Sequence, residues 1–163
     1  MTSDLLVPVN DLIGNPGKQR PFAGEKAVLL RLGETVADGP MTVAGEVIGL
    51  IDAVRAHFTV SAQAHLSCTR CLTEWDEMMK AEGDQVFRLV LDEDGYGIVD
   101  GEIDISGPAQ DELALSLPIV PLCTPDCKGL CPTCGTDLNT DPCDGHGEEP
   151  DSPFAVLKDL FDS

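Results

Sequence analysis

Cysteine placement constrains this chain more than any other feature of its sequence. Five of the seven cysteines lie in one stretch of 24 residues, from Cys123 to His146, and the other two form a separate C-x2-C pair, Cys68 and Cys71. The first residues carry no recognisable secretory signal and no apolar run long enough to span a membrane, so we expect a cytoplasmic protein. In that reducing compartment, grouped cysteines bind metal more often than they form disulfides. The pattern therefore predicts metal binding.

Eight side chains have the spacing of metal ligands. The late stretch contains C-x3-C, C-x2-C and C-x2-H, and each short spacing lets two side chains bind one ion from a single turn. The candidate ligands are Cys68, Cys71, Cys123, Cys127, Cys131, Cys134, Cys143 and His146. These are enough for two closed tetrahedral sites, so we expect zinc at one site or at two. A closed shell favours a structural ion, because a catalytic zinc keeps an open position.

The pairing of these ligands has two solutions on spacing alone. In the first, which we favour, one ion binds Cys68, Cys71, Cys123 and Cys127, and a second binds Cys131, Cys134, Cys143 and His146. In the second, a zinc ribbon joins Cys68 and Cys71 to Cys131 and Cys134. The compact unit C-x2-C-x8-C-x2-H favours the first solution.

One segment has a clear strand pattern. From Val54 to Cys68 every even position is small or apolar, and the odd positions are polar. This period of two predicts a long half-buried strand, with an antiparallel partner over Met41 to Ile51 and another over Met79 to Leu91 that is weakened at Gly83-Asp84. The C-x2-C pair then lies at the tip of a hairpin. His57 and His65 fall on the polar side and are expected to be surface residues.

The remaining elements are predicted from local signals. We expect a strand at Ala27 to Leu32, with loop at residues 18–21 and a break from Gly33 to Pro40. Ile103 to Ile105 is either part of a loop or an edge strand. A short helix is predicted from Pro108 to Leu117, with acids in its first turn, and a last helix over roughly Pro153 to Phe161. We detect no internal repeat.

Together these elements predict an α+β fold, an antiparallel β-rich body with short helices and a Cys-rich zinc-binding C-terminal segment. The expected division is a body over residues 1–122 that carries the hairpin zinc site, and a Cys-rich segment with the closing helix over residues 123–163. We expect the two parts to pack as one domain.

Charge narrows the range of partners. The chain has 29 Asp and Glu against 10 Lys and Arg, for a formal net charge of -19. Binding to a nucleic-acid backbone requires a stripe of Lys and Arg, so the composition argues against DNA binding and favours basic proteins as partners. No phosphate-binding loop and no catalytic serine or paired-acid motif is present.

Several motifs resemble one family, the YceD-type large ribosomal RNA subunit accumulation proteins. They are Cys68-Thr69-Arg70-Cys71-Leu72, Asp104 ahead of the helix, Glu112-Leu113-Ala114-Leu115, Pro121-Leu122-Cys123, Cys127-Lys128-Gly129-Leu130-Cys131-Pro132, Cys134-Gly135 and Leu138-Asn139. Many members have Cys-x-Cys where this chain has Cys143-Asp144-Gly145-His146. The first four cysteines are therefore the better supported group.

The resemblance implies a bacterial ribosome-biogenesis factor that supports accumulation of large-subunit ribosomal RNA. It does not imply a known enzymatic activity, and we expect the protein not to be an enzyme. Its expected partner is a ribosomal protein or a ribosome-assembly or processing factor. An alternative is a zinc module that binds ribosomal RNA directly through Arg70, Lys128, and Arg88 or Arg55. A weaker alternative is an RNA-maturation nuclease.

Overall fold

A computed structural model of the protein describes residues 5–90, 96–143 and 145–146. Within them lie six strands and one helix. In chain order these are β1 (Leu6–Pro8), β2 (Gln19–Leu32), β3 (Thr35–Gly49), β4 (Ala53–Ser67), β5 (Glu74–Arg88), β6 (Glu102–Asp104) and α1 (Ser106–Ser116). The fold class is therefore mainly antiparallel sheet with one short helix in the described residues. None of the described helical segments is long and apolar enough to cross a membrane.

Strands β2 to β5 form a four-stranded antiparallel meander in the order β2-β3-β4-β5. Strand β4 pairs with β5 along its whole length, from Ala53 opposite Arg88 to Ser67 opposite Glu74. Its even positions are buried and most of its odd positions are exposed, as the alternation predicts. The sheet therefore has a core face and an open face.

The core lies between the core face of this sheet, helix α1 and a small second sheet in which β1 pairs with β6. The largest fully buried side chains include Phe58, Phe87, Leu12 and Met41. The segment at Ile103 thus forms a short strand, one of the two alternatives left open by the sequence. The predicted helix at residues 153–161 lies outside the described residues.

Two predicted loops are wrong, since both are strand. Residues 19–21 belong to β2, and β3 begins at Thr35, so only Gly33 and Glu34 separate the two strands. Strand β2 pairs with β3 through Asp38, Gly39 and Pro40. On the other side of β3, the register with β4 shifts between Val36 and Thr42. This irregularity accommodates Pro40, which has no N–H for a regular ladder.

The helix begins earlier than predicted. It starts at Ser106, whose backbone N–H donates to Asp104 Oδ1 at 2.8 Å. Pro108 is tolerated near this end because the first four N–H groups of a helix have no partner within it. The predicted acids in the first turn are therefore absent, and Asp111 and Glu112 lie farther along.

Strand β5 begins at Glu74, earlier than the predicted Met79, and ends at Arg88, before the predicted Leu91. It continues through Gly83, where the sequence pattern is weakened. Gly45 and Gly83 lie opposite Phe58 on its two sides, and the Phe58 ring lies over Gly83. A Cβ on Gly83 would lie 2.3 Å from Phe58 Cζ and 3.0 Å from Glu112 Cγ. The glycine that weakens the strand pattern is therefore required by packing.

We predict that Gly83→Ala destabilises the protein by about 1–3 kcal/mol, the usual cost of adding volume to a packed core. Urea unfolding followed by circular dichroism measures the change. Ser61→Ala, on the open face of β4, is the control and should change stability by less than about 0.5 kcal/mol. Equal stability of Gly83→Ala and the unaltered protein would contradict the packing described here.

Candidate metal centre

Four cysteines from two distant parts of the chain converge beside the β4–β5 turn. Cys68 directly follows β4, and Cys71 lies in the same turn. Cys123 and Cys127 come from the segment after α1. The four sulfur atoms all lie within 4.8 Å of one another, and we call them the first cysteine group.

The spacing of these sulfurs suits a tetrahedral ion. Sulfurs that each lie about 2.3 Å from a central zinc are about 3.8 Å apart in a regular tetrahedron. The Cys68 and Cys127 sulfurs are 3.8 Å apart, and those of Cys71 and Cys123 are 3.5 Å apart. Three of the four residues are buried, and Trp75 and Leu122 pack against them. The first cysteine group could therefore hold a metal ion in a closed, largely dry site.

Hydrogen bonds fix the two parts of the first group against each other. The backbone N–H of Thr69 donates to Pro121 O at 3.0 Å, just ahead of Cys123. Arg70 contributes twice: its Nη1 donates to Cys127 O at 2.7 Å, and its own carbonyl accepts the N–H of Leu130 at 3.0 Å. The hairpin tip is thus joined to the late stretch by backbone contacts as well as by the cysteines.

The other four candidate ligands form a second group, which consists of Cys131, Cys134, Cys143 and His146. Their ligand atoms also lie within 4.8 Å of one another. The Cys134 and Cys143 sulfurs are 3.8 Å apart, and His146 Nε2 lies 3.2 Å from Cys131 Sγ. Cys134 and His146 are exposed, so this group is more open to solvent than the first.

The structure thus brings together the ligand sets of the first pairing. Cys131 and Cys134 do not join Cys68 and Cys71, as the zinc-ribbon alternative required. Three residues, Lys128, Gly129 and Leu130, separate the last ligand of the first group from the first ligand of the second.

The two C-x2-C turns have the same local structure, which the sequence analysis missed. In the first, Cys68 N–H donates to Thr73 O and Leu72 N–H donates to Cys68 O. In the second, Cys131 N–H donates to Thr136 O and Gly135 N–H donates to Cys131 O. The shared signal is the short repeat C-x2-C-x-T, at residues 68–73 and 131–136. We call these segments the first and second knuckles.

The residue after the second cysteine of each knuckle has a positive φ. It is Gly135 in the second knuckle, with φ of 74°, and Leu72 in the first, with φ of 61°. A leucine in this left-handed region is uncommon because its Cβ crowds the backbone. The four-ligand arrangement and the hydrogen bonds around it therefore hold Leu72 in a conformation that its own preference opposes.

A threonine hydroxyl accompanies one thiol of each knuckle. Thr73 Oγ1 lies 3.2 Å from Cys71 Sγ, and Thr136 Oγ1 lies 3.1 Å from Cys134 Sγ. These hydroxyl hydrogen bonds stabilise the thiolate: that of Thr73 lowers the pKa of Cys71, and that of Thr136 lowers the pKa of Cys134 to about 6. Each knuckle is therefore suited to presenting charged sulfur.

The thiols of the first group cannot all ionise easily on their own. A backbone hydrogen bond from Cys123 lowers the pKa of Cys68 to about 6. The neighbouring Cys71 sulfur, helped by burial, raises the pKa of Cys123 to about 12. This repulsion between adjacent sulfurs is what a divalent cation removes when it binds thiolates. The chemistry of the donor set therefore fits a metal ion.

The two histidines of β4 lie on the sheet, outside the cysteine groups, and two of the arginines considered for RNA binding already have partners. His57 and His65 are exposed on the open face, as predicted, and Asp76, 2.9 Å from His65 Nδ1, raises the pKa of His65. Arg55 forms an ion pair with Asp84 at 2.6 Å. With Arg70 bound to Cys127 O, two of the proposed RNA-contacting guanidinium groups have partners within the protein.

We predict that Gly129→Ala destabilises the protein more than Gly135→Ala. Both glycines have positive φ, but only at Gly129 would a Cβ meet the protein, 3.0 Å from Arg70 O. The excess should be about 1 kcal/mol, at the low end of overpacking costs, in urea unfolding. An equal loss of stability in the two variants would show that Gly129 does not lie close to the Arg70 carbonyl oxygen.

Comparison with known proteins agrees with the sequence resemblance. Among the curated relatives, an uncharacterized protein of Mycobacterium leprae is 35% identical over 112 residues, which are 63% of this chain and 51% of that protein. An uncharacterized protein of Mycobacterium tuberculosis (strain ATCC 25618 / H37Rv) is 36% identical over 112 residues, 63% of this chain and 53% of that protein. The chain thus spans about half the length of these relatives.

A third relative has a descriptive name. The "Large ribosomal RNA subunit accumulation protein YCED homolog 1, chloroplastic" of Zea mays is 51% identical over 45 residues, which are 28% of this chain and 15% of the plant protein. No solved structure matches this chain. The family model "Large ribosomal RNA subunit accumulation protein YceD" matches residues 56–161, well over half of the chain. On this match, the chain belongs to the YceD family.

Proposed function

We propose that this protein is a non-enzymatic, cytoplasmic factor of bacterial ribosome biogenesis that supports the accumulation of large-subunit ribosomal RNA. The observation that carries the proposal is its membership in a family named for that process. Its two ligand groups, which could hold metal ions, offer a structural basis for this role. In this view zinc binds both groups and fixes the shape of a protein-binding surface.

The ligand count supports a structural and not a catalytic use of zinc. Each group supplies four protein ligands, so an ion in either would have no position left for a water molecule or a substrate. Sulfur ligands dominate both groups and suit zinc better than magnesium or calcium, which prefer oxygen. Zinc in the first group would contribute its binding free energy to folding of the hairpin tip and the late stretch.

Charge supports a basic protein as the direct partner. With a net charge of -19, the chain repels a bare phosphate backbone and attracts basic segments. The open face of β5 presents Glu74 and Glu82, both exposed. The pairing of Arg55 and Arg70 within the protein weakens the alternative of direct RNA binding through those side chains.

We predict that the purified protein contains two zinc ions per chain by elemental analysis. Cys68→Ser should reduce the content to one, because it removes a ligand of the first group only, and Cys134→Ser should do the same for the second group. Thr133→Ser, within the second knuckle but without a ligand atom, is the control and should retain two. Protein that carries no zinc, or cysteine variants that keep both ions, would refute the zinc assignment.

We also predict that the immobilised, zinc-loaded protein retains a basic ribosomal or ribosome-assembly protein from a bacterial lysate after nuclease treatment. Glu74→Lys with Glu82→Lys should weaken this capture several-fold, since like charges then face each other. The control is Lys80→Glu, which lies on the same face of the same strand and changes the charge in the opposite direction. It should not weaken the capture. Capture of RNA from untreated lysate, with no protein retained at moderate salt once the lysate is treated with nuclease, would overturn the proposed mode of action.

A further inference from the structure

Asn139 lies between ligands of the second group in sequence, but its side chain contacts the first group. It lies in the loop between Cys134 and Cys143, yet its Nδ2 donates to Cys127 Sγ at 3.4 Å. Its Oδ1 accepts the backbone N–H of Lys128, next to Cys127, at 2.8 Å. Asn139 therefore reaches from one ligand group to a ligand of the other.

The loop around Asn139 is built to present this side chain. Asp137 Oδ1 accepts from both the backbone N–H of Asn139, at 2.9 Å, and its Nδ2, at 2.7 Å. The backbone N–H groups of Thr140 and Asp141 donate to Asp137 O, which closes a turn over residues 137–141. Leu138 N–H donates to Gly129 O at 3.0 Å, so the turn also rests on the segment that joins the two groups.

The donor matters because of the charge on the first group. Four thiolates around one divalent ion carry a net negative charge, and an N–H donor to a thiolate stabilises that charge. Such contacts to a ligand commonly change metal affinity by about 10- to 100-fold when they are removed. Cys127 is buried, so water has little access to its sulfur. The Asn139 amide donates the hydrogen bond that a water molecule would donate to an exposed thiolate.

We propose that Asn139 couples the two metal sites. Metal at the second group fixes both ends of the 134–143 loop. The 137–141 turn within this loop then holds the Asn139 amide against Cys127. Because that amide stabilises the Cys127 thiolate, the first site binds its metal more tightly. By reciprocity, metal at the first group also favours binding at the second. This inference rests on the zinc binding proposed above and assigns Asn139 a positioning role between the sites.

The test measures loss of zinc from the first group by itself. The zinc-loaded protein is treated with a chelator and a thiol-alkylating reagent, and peptide mass spectrometry follows the alkylation of Cys68 and Cys127. We expect Cys134→Ser to accelerate this alkylation about 10-fold, and Asn139→Ala to do the same. If Asn139 carries the coupling, the double variant is no faster than either single variant.

Two further variants separate the amide donor from the fold of the turn. Thr140→Ala removes the hydroxyl bond to Asp137 O, which does not involve Cys127, and should leave first-group alkylation unchanged. Asn139→Asp combined with Asp137→Asn exchanges amide and carboxylate within the turn and removes the donor to Cys127. This exchange should accelerate first-group alkylation while hydrogen exchange at Thr140 and Asp141 stays slow.

The outcomes distinguish this coupling from the zinc assignment. Additive effects of Cys134→Ser and Asn139→Ala, or unchanged first-group alkylation in Asn139→Ala, would overturn the role of Asn139 while zinc binding stands. A protein without zinc at either group would overturn the zinc sites themselves, and the coupling with them.

Discussion

Four cysteine sulfurs converge beside the β4–β5 turn and join the end of the sheet to the late stretch of the chain. Two sulfurs come from the hairpin tip and two from a segment more than fifty residues later, so the group closes a long loop of chain. Trp75 packs against this group and also against a cluster of core residues around Leu66. The candidate metal centre is therefore continuous with the apolar core and not an appendage to it.

The second group depends on the first in a more local way. Its knuckle repeats the hydrogen bonds and the threonine of the first knuckle, but Cys134 and His146 are exposed and the sheet supplies none of its ligands. Its contacts with the rest of the protein run through Gly129, Leu130 and Asn139. An ion there would order the late stretch, whereas an ion in the first group would attach that stretch to the sheet.

Strong local patterns could be predicted from the sequence, and features set by distant contacts could not. The alternation of β4 and the hairpin position of the first knuckle followed from residue types alone. Pro40 was wrongly placed in a break and Gly83 was taken as a weak point of its strand, because only the structure shows a register shift beside Pro40 and the Phe58 ring over Gly83. Ligand spacing predicted the eight ligands and favoured their division into these two groups, but the roles of Thr73, Thr136 and Asn139 depend on folding of the turns around them.

Anomalous scattering at the zinc absorption edge, measured from crystals of the purified protein, would locate the ions themselves. We expect two peaks, the first about 2.3 Å from the sulfurs of Cys68, Cys71, Cys123 and Cys127 and the second among Cys131, Cys134, Cys143 and His146. An ion shared by Cys68, Cys71, Cys131 and Cys134, or sulfurs of the first group with no ion between them, would contradict this assignment.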